Sequence, residues 1–65
     1  MRGTDMLGTL AGGEEVLATD VLGVEIRGRV DLAAPGLGVL WVWEYGTGER
    51  RLLHAAEYDL ATLPA

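Results

Sequence analysis

The sequence contains no cysteine, lysine, serine, asparagine, glutamine or phenylalanine, and only one histidine, His54. Without cysteine no disulfide can brace the chain, and a lone histidine cannot assemble the Cys/His set of a structural zinc site. The absence of serine, cysteine and lysine removes most of the side chains that serve as covalent nucleophiles. The five basic residues are all arginines, set against ten acids for a net charge of −5. That balance argues against nonspecific binding to phosphate backbones, which relies on basic side chains to release condensed counterions. A long apolar run is also lacking. The longest, residues 33–43, is interrupted by Pro35, Gly36 and Gly38, and falls short of the ~20 residues that span a bilayer. The first ten residues include Asp5 and Gly8 and hold no stretch resembling a signal peptide. These absences predict a cytoplasmic protein that is not an enzyme, binds no cofactor or metal, and has no membrane partner.

What is present is a short, greasy chain of 65 residues, 49% of them hydrophobic. For its 6.9 kDa, surface scaling gives about 4,000 Å² folded against about 10,000 Å² unfolded, so about 60% of the surface is buried, in one domain. Domains of this size have cores worth only about 3–5 kcal/mol and often add a disulfide, a metal or association. With no thiol and one imidazole, association is the remaining brace. Gly, Ala, Leu and Arg are abundant where Lys and Asn are missing, the imprint of a GC-rich bacterial or phage genome.

Glycines at 3, 8, 12 and 13 mark residues 1–12 as a flexible segment or a short strand near Met6 and Leu10, leaving 13–65 as a single small β-barrel domain. Residues 14–22, with Val16, Thr19 and Val21, read as a strand, though a helix stays open because alternation is imperfect. The clearest periodicity is at 24–32, where Val24, Ile26, Gly28, Val30 and Leu32 alternate with Glu25, Arg27, Arg29 and Asp31. Period two sends the first set to the core. Gly28 then falls on the inner face, suited to a bend or the close approach of another strand. Pro35-Gly36 predicts a type II turn.

Residues 39–45 and 49–56 flank Gly46-Thr47-Gly48 and predict a hairpin. A two-residue loop would oppose Glu44 to Glu49, a repulsive pair. A three-residue loop, with Gly48 left-handed, sets Glu44 opposite Arg50, Trp43 opposite Arg51 and Val42 opposite Leu52, and is the register expected. Residues 57–60 read as a single turn leading to a last short strand or tail at 61–65, where Pro64 discourages further ladder bonding. Four or five short strands with glycine-rich turns predict an all-β fold, a small barrel or a strongly curved antiparallel sheet.

Gly13-Glu14-Glu15-Val16, Arg27-Gly28-Arg29-Val30, Trp43-Glu44-Tyr45-Gly46, Arg51-Leu52-Leu53 and Tyr58-Asp59-Leu60 together resemble the SH3-like small barrels of the KOW and Tudor type, over about residues 13–60. The resemblance implies binding of proteins, peptides or nucleic acids through loops and an aromatic patch. It also implies that the Trp43 face points inward. The basic surface of the nucleic-acid-binding members has no counterpart here.

Residues 39–45 carry most of the functional signal. Val39, Trp41, Trp43 and Tyr45 share one face, and Leu40 and Val42, ahead of Glu44, share the other. Both faces are apolar, and so small a body has only one dry side. With the tryptophans inward, Leu40, Val42 and Leu52 form an exposed strip, unless residues 6–10 fold back over it. With them outward, Trp41 and Trp43 form a platform of the side chains favoured at interfaces. The candidate interaction residues are Leu40, Trp41, Val42, Trp43, Tyr45, Arg51 and Leu52, and the expected function is a non-enzymatic interaction or assembly module whose partner is a second copy or another protein. Two alternatives stay in view: a nucleic-acid-associated regulator using Arg27, Arg29, Arg50 and Arg51, and a small hydrolase or metal protein in which His54 works with Glu57 or Asp59. The pairs Glu14/Glu15 and Glu57/Asp59 read as solvated acids, and Gly12-Gly13 and Gly46-Thr47-Gly48 as turns, since neither carries the Lys-Ser/Thr ending of a phosphate-binding loop.

Overall fold

The computed structural model describes residues 2–64. They form one antiparallel sheet of five strands: β1 (Glu15–Thr19), β2 (Glu25–Ala34), β3 (Val39–Glu44), β4 (Arg50–His54) and β5 (Asp59–Thr62). The spatial order is β4-β3-β2-β1-β5. The fold is therefore a small all-β domain. Its sheet is open, with β4 and β5 as the two edges.

Every strand sends side chains to the same core: Val16 and Ala18 from β1, Ile26 and Val30 from β2, Leu40 and Val42 from β3, Leu53 from β4 and Leu60 from β5. One face of five strands can meet in a single cluster only if the sheet curls. The accessible surface, 4050 Å², equals what mass alone predicts. The open side of the curl is plugged by the N-terminal segment. The segment expected as a flexible tail or a short strand near Met6 and Leu10 is instead helical over residues 3–9, with α1 at Gly3–Met6 and a 3-10 turn at Leu7–Thr9, and Leu10 follows in extended conformation. Their fold is decided by burial: Leu7 and Leu10 enter the core, and that gain offsets the entropy of ordering a glycine-rich stretch. The segment is also tied at its start, where Gly3 N–H donates to the Tyr58 carbonyl at 2.8 Å.

The alternation along β2 holds for Ile26, Gly28 and Val30 but fails at both ends. Val24 and Leu32, expected inside, are exposed. At Leu32 the cause is a bulge: Val30 pairs with Val42 and Leu32 with Trp41, so Asp31 is an extra residue, and the phase of the alternation flips. Val24 lies before the strand begins, in the turn that joins β1 to β2. Gly28 keeps its expected role. A Cβ there would run into the Trp43 carbonyl oxygen, so the backbones of β2 and β3 approach more closely than any other residue allows.

The β1–β2 turn is built on Asp20, whose Oδ1 accepts from the N–H groups of Leu22 and Val24, each at 2.9 Å. Asp20→Ala frees both donors and is expected to cost about 1 kcal/mol, read as a lower urea midpoint with an unchanged slope. Pro35 starts a 3-10 turn, Pro35–Leu37, rather than a type II turn, and the positive φ falls on Gly38 instead of Gly36.

The β3–β4 register also departs from expectation by one residue. Trp43 pairs with Arg50, Val42 with Arg51, Trp41 with Leu52 and Leu40 with Leu53, and Glu44 N–H donates to the Glu49 carbonyl at 2.8 Å. The glutamates are thus opposed, the arrangement the charge argument disfavoured. The reason lies at the other end of the ladder. With Leu40 inward, the expected register would have set His54 opposite Leu40 in the core; the observed one sets Leu53 there. Burying an imidazole costs more than a repulsion at the solvent-exposed end, and Glu44 relieves that repulsion by accepting from Arg51 Nη1 at 2.9 Å. Gly48 does take the left-handed conformation expected of it, with φ 70°.

Candidate interaction surface

Because directly opposed residues of an antiparallel pair share a face, the register builds the outer surface of β2, β3 and β4 row by row. Leu32, Trp41 and Leu52 lie abreast across the three strands, and Arg29, Trp43 and Arg50 form the next row. Trp43 is 45% exposed, Leu52 41% and Leu32 54%. Tyr45, just past the end of β3, extends the patch; its N–H donates to the Arg27 carbonyl at 3.0 Å and its ring is exposed.

Arg50 crowns this surface. Its guanidinium carbon lies 4.1 Å from the centroid of the Trp41 ring, a cation–π contact. Its Nε donates to Asp31 Oδ2 at 2.8 Å. Asp31 is the bulge residue, so the irregularity that turns Leu32 outward also supplies the carboxylate that fixes the arginine. The platform is therefore a braced arrangement of two indoles, two leucines and a held guanidinium.

The expected interaction residues divide between the two faces. Trp41, Trp43, Tyr45 and Leu52 lie outside. Leu40 and Val42 are completely buried, which overturns the inward-tryptophan expectation drawn from the Tudor-type resemblance; they share one core cluster with Leu7 and Leu10, while Trp43 stays exposed and Trp41 half-buried on the outer face. Arg51 sits at the rim of the inner face, held by Glu44. The hydrogen bond that Arg51 donates to Glu44, and then the charge of that carboxylate, push the Arg51 pKa up. Two contributors escaped the sequence reading. Arg50 looked like half of a basic pair, and Leu32 like core. Only the one-residue register and the bulge bring them to the tryptophans.

A second apolar feature is separate. Val21 and Leu22, at the tip of the β1–β2 turn, are 94% and 85% exposed.

The alternative sites fare differently. Of the four strand arginines, Arg29 is bonded to the Gly13 carbonyl at 2.7 Å and to Glu15 at 3.4 Å, Arg50 to Asp31 and Arg51 to Glu44. Their charges are largely answered within the chain. His54 is exposed at the end of β4, opposite Val39, and makes no hydrogen bond to Glu57 or Asp59 among the described residues. A concavity of about 420 Å³ beside Arg2, Asp20, Tyr58 and Asp59 does not include His54. No three His, Asp or Glu side chains among the described residues cluster as a metal would require. Glu14 is occupied structurally, Oε1 accepting from Ala11 N–H at 2.8 Å.

No protein-family model, curated protein or solved structure matches this chain.

Proposed function

We propose that this protein is a non-enzymatic assembly module of the SH3-like small-barrel type, and that it associates with itself through the outer face of β2, β3 and β4. The observation that carries the reading is the platform of exposed Trp43, Leu32 and Leu52 around the half-buried Trp41, with Arg50 stacked on the Trp41 indole. Aromatic side chains and arginine are the residues that anchor protein interfaces, and contiguous apolar surface on a small soluble domain marks a contact site. Size supports the same reading, since a core of 65 residues with no disulfide gains most from a neighbour. The small antiparallel sheet of five strands is compatible with the small-barrel resemblance. The nucleic-acid alternative loses ground with three of its four arginines in intramolecular ion pairs.

The test is mass by sedimentation equilibrium across a wide range of protein concentration. The wild type is expected above the monomer mass. Trp43→Ala combined with Leu52→Ala is expected to sediment as a monomer, while its own unfolding free energy falls by about 1 kcal/mol or less, as for other partly exposed side chains. A wild type that stays monomeric up to millimolar concentration, with tryptophan emission typical of water-exposed indole throughout, defeats the proposal.

A further inference from the structure

We propose that the free edge of β4 pairs with itself: two copies join their β4 strands antiparallel about a two-fold axis at Leu52, making one continuous sheet of five strands from each copy. This goes beyond the face contact proposed above: it is a second contact, along the sheet edge, and it names the strand, the symmetry and the register.

The two edges of the sheet are treated differently. At the β5 edge, Arg2 forms a bridge with Asp59, Gly3 N–H bonds the Tyr58 carbonyl, and Pro64 follows the strand, so that edge is covered at its start and blunted at its end. The β4 edge carries none of these guards. Between Arg50 and His54 it has no proline and no bulge, the glycine bulge at Gly48 and Glu49 lying ahead of the strand, and among the described residues nothing else pairs with it. Charged side chains often protect an edge, and β4 does carry Arg50 and Arg51. Both are drawn back over their own sheet, one onto Trp41 and Asp31, the other onto Glu44. The edge they might have screened is left open.

Its backbone groups can be assigned. Glu44 N–H bonds Glu49 O and Ala55 N–H bonds Gly38 O, so the odd-numbered residues from 49 to 55 face β3. Antiparallel alternation then turns the even ones outward. Arg50 and Leu52 offer an N–H and a C=O each to solvent, and His54 its N–H. An antiparallel partner centred on Leu52 meets this pattern with the same pattern: Leu52 opposes Leu52, and Arg50 opposes His54 in both directions. The register opposes no arginine to arginine, and it sets Arg51 against Leu53. On the outer face the apolar row Leu32, Trp41, Leu52 continues across the axis into Leu52, Trp41, Leu32 of the second copy. An edge that meets itself about a two-fold forms a closed, isologous contact, and a second copy supplies the matching apolar row that a foreign strand lacks.

The lack of cysteine makes the register directly testable. In a hydrogen-bonded antiparallel pair the Cα atoms are about 5.5 Å apart, inside the roughly 4.4–6.8 Å that a disulfide spans. Leu52→Cys is expected to oxidise rapidly to a covalent dimer. Arg50→Cys and His54→Cys are each expected to remain monomeric on the same timescale, and to cross-link when mixed. Leu52→Pro removes a donor that points away from β3, so it is expected to abolish association with the far-ultraviolet circular dichroism unchanged; should that variant unfold, the cysteine series still decides. If the wild type associates but Leu52→Cys cross-links no faster than Arg50→Cys, the β4 pairing is overturned while assembly through the platform stands. A foreign strand bound at the edge in preference to a second copy, seen as loss of Leu52→Cys cross-linking when a partner is added, also overturns it. A monomeric wild type removes both.

Discussion

Leu40→Ala is expected to leave the protein largely unfolded at room temperature. Leu40 is fully buried in β3, which is paired on both sides, by β2 and by β4. The cavity left behind cannot collapse easily between two ladders. Leucine-to-alanine changes at such positions cost about 2–5 kcal/mol, against a core that supplies about 3–5 kcal/mol in a domain of this size. The comparison is Trp43→Ala, three residues further along the same strand. It deletes a much larger side chain yet should cost about 1 kcal/mol or less, because Trp43 is on the outer face. Chemical denaturation of the two variants reads the orientation of β3 directly. If Trp43→Ala proves the more destabilising, the tryptophans are inside and both the platform and the proposals built on it fall.

Gly28→Ala is the second change expected to have a large effect, and it acts by collision rather than by loss. The added methyl would overlap the Trp43 carbonyl oxygen and lie 3.1 Å from the Trp43 carbonyl carbon and 3.3 Å from the Glu44 Cα. All three atoms belong to backbone, so no rotamer change relieves the contact. β2 pairs here with both β1 and β3, Gly28 opposite Val16 and Glu44, and separating either ladder would expose hydrogen-bonding groups to no partner. Overpacking costs about 1–3 kcal/mol when side chains can adjust, and more when they cannot, so about 3 kcal/mol or more is expected, seen as a collapse of the thermal transition. Gly36→Ala is the control. Its Cβ meets open space and its φ is not positive, so that variant should match the wild type or exceed it slightly through a less flexible unfolded chain. Equal effects at positions 28 and 36 would mean that β2 and β3 do not approach as described.

The two variants bear on function as well as stability. Gly28 lets the sheet curl tightly enough for five strands to share one core. The same curl leaves the opposite face of β2, β3 and β4 with no second layer to cover it. Contact with a neighbour would cover the second apolar face of the strand. That is the physical content of the assembly proposal, and Leu40 and Trp43 are its two sides.

Much of this was legible from local pattern. The all-β class, strands read at 24–32 and 39–45 where the structure has Glu25–Ala34 and Val39–Glu44, the hairpin around residues 46–48, the left-handed Gly48 and the close approach at Gly28 all follow from period-two alternation and turn chemistry, which operate over a few residues. The two-sided character of residues 39–45 was equally plain. The N-terminal helix was not, because its glycines point away from helix and its stability comes from Leu7 and Leu10 meeting strands far along the chain. Nor was Arg50, since its place over Trp41 depends on a register and a bulge that no local pattern encodes.

What the amino-acid order determined alone was that β3 has two apolar faces and that the chain holds no thiol to brace it. Which face is inside was decided only by tertiary structure. Alternation separates two sets of side chains without giving them a sign. The sign was set by which set could be enclosed by Val16, Leu53, Leu60 and the N-terminal leucines together, with His54 kept in water. Leu40 and Val42 fit that enclosure, and the bulkier indoles were left facing out.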